Sequence, residues 1–364
     1  MHAALSCALV LTAASFCGAA SLSGSSASAS ASASSASASS ASASASSASG
    51  VPMLLLHNGV KMPAIACGSG GDNNQSAQVT VKAALEAGFT HIDTAHDYGD
   101  QAGVGKAVAG SSVFLTTKVP GCGVPTQGLM PPCFNNTLKA VDQDLALLGM
   151  EKVSLMLIHF PPLLGCVASS CEHMQQQWAA LEQIYHEKKA DAIGVSNYCK
   201  ECLQCIMKTA KVVPMVNQMQ YHIGMGGPDF ADGLLEFLAE NDIAFTAYSP
   251  LGGGGVLSPS SPFAAIGNAT AAKYKWQQPG STPTAQPVQP AQVALAWIAQ
   301  KRANMPQMAV VTKSSNPVYL AEDLGLWSGW GLSAEDRAAL DKIANPACKL
   351  EAPGSCCKAK YMYQ

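Results

Sequence analysis

Charge is scarce in this chain of 364 residues: 12% are Asp, Glu, Lys or Arg, and the first 50 residues contain none. There is no basic run, and the formal net charge is −3. Both facts exclude nucleic acid and an anionic membrane surface as expected partners. No apolar run reads as a membrane anchor, since Ala3 to Ala20 is short and alanine-rich. A Gly-x-Gly-x-x-Gly turn after an early strand is missing, which argues against a doubly wound dinucleotide-binding sheet. Between Pro250 and Pro290 there is neither Asp nor Glu.

What stands at the uncharged head divides in two. Residues 1–20 carry Leu5, Leu9, Val10, Leu11 and Phe16 and end in Gly18-Ala19-Ala20. This fits a signal peptide with a small-residue cleavage site, although the usual Lys or Arg near Met1 is lacking. Residues 21–50 are almost pure Ser and Ala, which cannot build a core and read as a disordered tether. A Ser-rich, acid-free segment also matches a plastid transit sequence, against which the lack of Arg counts. The expected destination is the secretory route and exterior, or a plastid. Sequons at Asn74, Asn135 and Asn268 matter only on the first route.

The 13 cysteines bear on the same question. Losing Cys7 and Cys17 with a leader leaves an odd number, so one thiol stays unpaired or bridges to another chain. Cys122 and Cys133 flank a Gly/Pro-rich loop, Cys166 and Cys171 a shorter one, and Cys348 lies near Cys356 and Cys357. Two readings stay open: local staples in an oxidising compartment, or reduced buried thiols. Cys199-x-x-Cys202-x-x-Cys205 has the spacing of part of an iron–sulfur ligand run but no fourth cysteine follows. It reads as thiols on one helix face, and no metal is expected.

From Val51 the pattern turns to short apolar runs alternating with helical periodicity. Leu54 to Ala66 reads as a hairpin turning at Asn58-Gly59 in a type I′ turn. Strand-like runs follow at Ala64–Cys67, Thr90–Asp93, Val113–Lys118, Val153–His159, Ala192–Ser196, Met215–Gln220, Ala244–Tyr248 and Ala309–Thr312. Helical segments alternate with them at Gln75–Glu86, Thr137–Leu148, Met174–Glu187, Lys200–Thr209, Gly233–Glu240 and Pro290–Lys301. A last one, Ala334–Ile343, has Ser333 and Asp336 placed for a near capping box. Eight such units fit an α/β architecture closed as a (β/α)8 TIM barrel over residues 51–346, with an N-terminal β-hairpin. Residues 347–364 then form a Cys-containing tail. Functional groups gather at the C-terminal strand ends of such a barrel, where Asp93, Lys118, His159, Ser196, Gln218, Tyr248 and Lys313 all fall.

Gly88-Phe-Thr-His-Ile-Asp93-Thr-Ala-His-Asp-Tyr98 carries the most information. Leu157-Ile-His-Phe-Pro161, Ile193-Gly-Val-Ser-Asn197, Val216-Asn-Gln218, Ala247-Tyr-Ser-Pro-Leu-Gly252 and Val311-Thr-Lys-Ser314 follow it in order. This ordered set resembles the aldo-keto reductase family from about Leu54 to Ile343. The resemblance implies an oxidoreductase that reduces aldehydes or ketones with NADPH, using a catalytic group of Asp93, Tyr98, Lys118 and His159. Tyr98 would give the proton, Lys118 would lower its pKa from about 10, Asp93 would hold Lys118, and His159 would donate a hydrogen bond to the carbonyl oxygen. It also implies a cofactor site. Ser196, Asn197 and Gln218 would bind the nicotinamide carboxamide, Tyr248 would stack on the ring, and Ser249 and Leu251 would follow it. Lys313 and Ser314 would meet the 2′-phosphate of NADP(H), and Glu322 the adenine.

Several positions depart from that pattern. Tyr319 stands where relatives often carry a phosphate-binding Arg, and Asp323 replaces a frequent Asn, so NAD(H) is expected as a second cofactor. The acid-free stretch after Pro250 implies a looser clamp on the cofactor. Gly252 to Gly255 either present backbone N–H groups to phosphates or form a mobile loop. Gly70 and Phe160 replace frequent tryptophans and imply a wider substrate pocket for a small-molecule carbonyl. The chain is expected to be a monomer. The rival readings are a nicotinamide-binding sensor or accessory subunit on the same barrel without turnover, and a secreted barrel kept as a binding protein.

Overall fold

A computed structural model describes residues 50–364 except 124–127, 163–169, 226–232, 279–284, 301–304 and 344–364. The leader, the tether up to Ser49, Cys166 and the tail with Cys348, Cys356 and Cys357 lie outside the described residues.

Eight parallel strands close into a barrel in the order β12-β3-β4-β5-β6-β7-β8-β9. They are β3 (Ile65–Gly68), β4 (His91–Asp93), β5 (Phe114–Val119), β6 (Val153–Ile158), β7 (Ala190–Ser196), β8 (Val216–Gln220), β9 (Ala244–Tyr248) and β12 (Met308–Thr312). Strands buried on both faces read as nearly continuous apolar runs. That is why Val-Ser-Leu-Met-Leu-Ile and Met-Ala-Val-Val-Thr were recognisable, and β5, β6, β7 and β12 are almost wholly buried.

The barrel bottom is covered by a hairpin of β1 (Met53–Leu55) and β2 (Lys61–Pro63), paired antiparallel. Its turn is not the type I′ expected at Asn58-Gly59. Gly59 N–H donates to Leu56 C=O at 2.8 Å, so His57 and Asn58 are the central residues. Gly59 follows in the left-handed region at φ 85°, a conformation that a side chain would strain. Asn58 does not share that conformation and instead accepts from Val60 N–H. The result is a three-residue connection ending in a left-handed glycine.

The expected helices appear as α1 (Asn74–Ala87), α3 (Cys133–Leu148), α4 (Cys171–His186), α5 (Lys200–Met207), α6 (Leu234–Glu240), α8 (Pro290–Ala299) and α10 (Ala334–Asp341). Three more were not foreseen: α2 (Gln101–Val108), α7 (Phe263–Ala271) and α9 (Pro317–Leu324). α2 carries two glycines, and α7 lies in the acid-free stretch read as loop. A small hairpin of β10 (Lys275–Trp276) and β11 (Gln286–Pro287) was missed as well. The capping box at α10 is only half formed. Ser333 Oγ accepts from Asp336 N–H, but the Asp336 carboxylate turns to Lys273 and Tyr274.

Cys122 is bonded to Cys133 as one staple. The proposed pairing of Cys166 with Cys171 is wrong, because Cys171 is bonded to Cys205, 34 residues away. Cys202 is also in a disulfide. The reading of Cys199, Cys202 and Cys205 as a row of thiols therefore fails; Cys199 Sγ lies 3.8 Å from Cys202 Sγ. Packing of α4 against α5 decides this pairing, and nearness in sequence does not predict it. Closing a loop of this length contributes about 3–4 kcal/mol. The double substitution Cys171→Ser/Cys205→Ser should lower the denaturation midpoint by that order under non-reducing conditions. It should leave the parent unchanged only if both thiols are already reduced, which peptide mapping without reductant reads directly.

Candidate active site

The site is built where β4, β5, β6 and β7 end. β4 stops at Asp93, and a short 3-10 turn (His96–Tyr98) brings Tyr98 back over the barrel mouth. Lys118, fully buried one residue before the end of β5, places Nζ 2.6 Å from Asp93 Oδ1 and 2.9 Å from the Thr94 carbonyl. The same Nζ lies 3.5 Å from Tyr98 Oη. Gln218 Nε2 donates to Asp93 Oδ2 at 2.8 Å, so the carboxylate is held at both oxygens.

Tyr98 packs against Gly70. A Cβ at that position would lie 3.3 Å from the phenol Cζ, so the glycine gives the ring its room. His159 sits beside Tyr98, the rings meeting edge to face at 5.6 Å, and Phe160 stacks on the imidazole at 4.1 Å. The four residues expected to act together are therefore brought together.

Burial moves the ionisable groups. The Lys118 ammonium is held above its ordinary value, Asp93 and Tyr98 outweighing its loss of water. The Tyr98 phenol is pushed up, because burial outweighs the pull of Lys118. This corrects the expectation that Lys118 lowers it on balance. The lysine charge is spent first on Asp93 and reaches the phenol oxygen only at a longer distance. His159 is pushed down by burial and by Lys118, with Asp97 opposing.

Of the residues expected at the nicotinamide end, Ser196, Asn197 and Gln218 are buried and Tyr248 is half-buried, and all are joined in one network. Ser196 Oγ donates to the Gln218 carbonyl at 2.9 Å. Asn197, in a left-handed turn at φ 64°, donates from Nδ2 to the His159 carbonyl and accepts at Oδ1 from Tyr248 Oη at 2.9 Å. A cavity of about 740 Å³ opens above them. Its lining includes Gly70, Asp93, Tyr98, Tyr248, Ser249, Leu251, Lys313, Ser314 and Glu322. Ser196, Asn197, Gln218 and Phe160 are not part of its lining.

Lys313 is already engaged, donating to the Gly70 carbonyl at 2.7 Å and lying 3.2 Å from the Asp72 carboxylate. Tyr319 and Asp323 line the cavity too, and Tyr319 is 58% exposed. Sequence reasoning missed Asp97, whose carboxylate lies 2.7 Å from His159 Nδ1. It also missed Phe263 of α7 in the cavity wall and the His96–Asp144 contact beneath the turn. Asp97 stands beside Tyr98 in the motif, but nothing in the sequence pairs it with a residue 62 positions on.

The profile of the Aldo/keto reductase family matches residues 64–345. Among curated relatives, 9,11-endoperoxide prostaglandin H2 reductase of Trypanosoma cruzi is 33% identical over 299 residues, covering 79% of this chain and 90% of the relative. Morphine 6-dehydrogenase of Pseudomonas putida is 30% identical, with 80% and 91% covered. Among solved structures, an aldo/keto reductase from Brucella melitensis superposes with a TM-score of 0.64 at 31% identity, over 80% of this chain and 99% of that one. Gox0644 superposes at 0.66 with 29% identity, over 83% and 97%, and a substituted form of it was solved in complex with NADPH. The barrel and the motifs at its strand ends define an oxidoreductase scaffold. This chain belongs to the aldo/keto reductase family.

Asp323 offers a test of the cavity wall. Burial pushes its carboxyl up to about 7, with Glu322 adding to the effect. A folded-state value above the unfolded value of 3.8 means the folded form binds the extra proton. Its stability contribution is therefore complete below pH 4 and is lost as pH rises towards 7. Asp323→Asn should be more stable than the parent at pH 8, by roughly 2–4 kcal/mol at 1.36 kcal/mol per pKa unit, and should match it at pH 4. Equal Tm differences at both pH values would contradict the assignment.

Proposed function

We propose that this chain reduces an aldehyde or ketone to the alcohol with NADPH, Tyr98 giving the proton. The observation that carries the reading is the Lys118 ammonium, 2.6 Å from Asp93 and 3.5 Å from the Tyr98 oxygen, behind two residues that line a large cavity. The chemistry of its lining suits a dinucleotide: two phenols (Tyr98, Tyr248), an ammonium and a hydroxyl (Lys313, Ser314) face it. Its wall also contains the turn of Gly253 and Gly254, where no side chain crowds the backbone. Ser196, Asn197, Gln218 and Tyr248 would hold the nicotinamide, Ser249 and Leu251 the central part, and Lys313, Ser314 and Glu322 the adenosine end. When bound, the cofactor supplies hydride to the carbonyl carbon.

The chain's own part is acid catalysis. Lys118 donates towards the phenol oxygen, so the phenolic hydrogen is turned away from Lys118 and is free to be offered to the substrate. Burial keeps that hydrogen on Tyr98 at neutral pH. It leaves when the substrate oxygen gains negative charge, and the adjacent ammonium stabilises the phenolate that remains. In the reverse direction the same phenolate takes the hydrogen from an alcohol.

Both NADPH and NADH are expected to serve. Lys313 is partly neutralised by Asp72, Tyr319 replaces a guanidinium, and Glu322 and Asp323 add acidity at that end. The disulfides Cys122–Cys133 and Cys171–Cys205, with Cys202 in a further one, support an oxidising compartment, reached by the secretory route or in a plastid. The chain acts as a monomer on a small-molecule carbonyl.

Absorbance of NADPH with a reactive aromatic aldehyde tests the reading on the full chain. Tyr98→Phe should cut kcat by 10²–10⁴ with little change in cofactor binding. Tight NADPH binding without turnover in the parent would instead make the chain a sensor. Tyr319→Arg should raise the preference for NADPH over NADH about tenfold, equivalent to ~1.4 kcal/mol. An unchanged ratio would show that position 319 does not meet the phosphate.

A further inference from the structure

Asp97 has no part in the chemistry derived above, yet it holds one of its groups. Its Oδ2 lies 2.7 Å from His159 Nδ1. An ionised carboxylate only accepts, so Nδ1 carries the hydrogen. A neutral imidazole has one N–H, and its second nitrogen, Nε2, is then a bare acceptor. No described residue hydrogen-bonds to Nε2. The ring is pinned: Phe160 stacks on one face, the Tyr98 ring meets it edge to face, and its backbone carbonyl accepts from Asn197. The ionisable groups around it are Asp97, Lys118, Asp93 behind Lys118, and the Tyr98 phenol.

We propose that Asp97 is a positioning residue that fixes the tautomer of His159, so that the neutral ring accepts a hydroxyl hydrogen and only the doubly protonated ring donates to a carbonyl oxygen. This rests on the carbonyl-reduction reading. No proton or hydride passes through His159; the ring only orients the oxygen that Tyr98 serves. Neutral His159 matches an alcohol, the product of reduction and the substrate of the reverse reaction. Doubly protonated His159 matches the aldehyde or ketone. The site is thus biased by pH between the two directions.

The sign follows from burial, which sets the His159 value below the ordinary ~6.5. The donor form prevails only at acid pH. Carbonyl reduction should weaken as pH rises through that value, while alcohol oxidation should not.

The test uses the full chain with ¹⁵N-labelled histidine, the His159 signals being identified by their loss in His159→Gln. At pH 8 the parent should show Nδ1 protonated and Nε2 bare. Asp97→Val should shift the ring towards the Nε2–H form. In kinetics with the aromatic aldehyde between pH 5 and 9, the parent's kcat/KM should decline with rising pH. Asp97→Val should be nearly flat and several-fold faster than the parent at pH 8, with slower alcohol oxidation. Asp97→Asn, close to isosteric, should show a reduced pH slope and serves if the valine variant does not fold. An Nε2–H tautomer in the parent, or identical pH profiles in parent and variants, overturns the proposal. Failure of the parent to oxidise NADPH would defeat the reductase reading instead, and the ring nitrogen signals would still decide the role of Asp97.

Discussion

A buried ammonium governs this active site. Lys118 is completely enclosed, and an unpaired charge there would cost several kcal/mol. Its three N–H groups face three acceptors: the Asp93 carboxylate, the Thr94 carbonyl and the Tyr98 oxygen. Two of these are close and one is long. The pair is affordable only because β4 ends where it does, so that the Thr94 carbonyl and the Asp93 side chain converge on the end of β5. Breaking either strand end would leave a charge without partners. The fold and the chemistry are therefore bound by one electrostatic requirement. On the proposed reading the long third contact is the one with chemical consequence, since it leaves the phenol oxygen room to trade partners with a substrate.

Two effects compete at that phenol, and their order decides what it can do. Burial in the mouth of the barrel favours the neutral form, and the ammonium favours the anion. Burial wins, so Tyr98 keeps its hydrogen in place, and on the proposed reading it rests as the acid. A phenol already ionised at pH 7 would have no hydrogen to give. A phenol without Lys118 would hold its hydrogen too firmly once the substrate oxygen demanded it. The arrangement stores the stabilisation of the anion until charge develops.

The strands were legible because the barrel buries both faces of each, and apolar runs of four to seven residues have few other uses. Ala244–Tyr248 was placed at its observed bounds, and the others within two residues. The polar residue at each strand end was legible for the same reason, since it interrupts an otherwise apolar run. What was not legible depends on contacts through space. α7 hides in a stretch read as loop, where proline and glycine obscure the period, and α9 is too short to show one. The Cys171–Cys205 bond depends on how two helices pack, and spacing favoured the wrong neighbour. The Asn58-Gly59 turn had the right residues, but the connection is one residue longer than the pattern implied. Asp97 was in plain view beside Tyr98, and only the return of β6 next to β4's turn gives it His159.

The cross-links and the site occupy the same rim of the barrel. Cys122 lies four residues beyond Lys118, and its bond to Cys133 ties the segment leaving β5 to the start of α3. Cys171 opens α4 after β6, and Cys205 lies in α5 after β7. Lys118, His159 and Ser196 are thus each carried at a strand end whose following segment is covalently restrained. Asn197 adopts a left-handed turn that costs free energy for a residue with a side chain. It is held by Tyr248, by the His159 carbonyl and by the Gln218 carbonyl. On the proposed reading the acid must sit within hydrogen-bonding reach of the substrate's carbonyl oxygen, which tolerates errors of only a fraction of an ångström. Loops alone would not supply that precision beside a cavity of about 740 Å³. The covalent ties and the shared Asn197 network do so from the β5, β6 and β7 side, and the Lys118–Asp93 pair does so from β4.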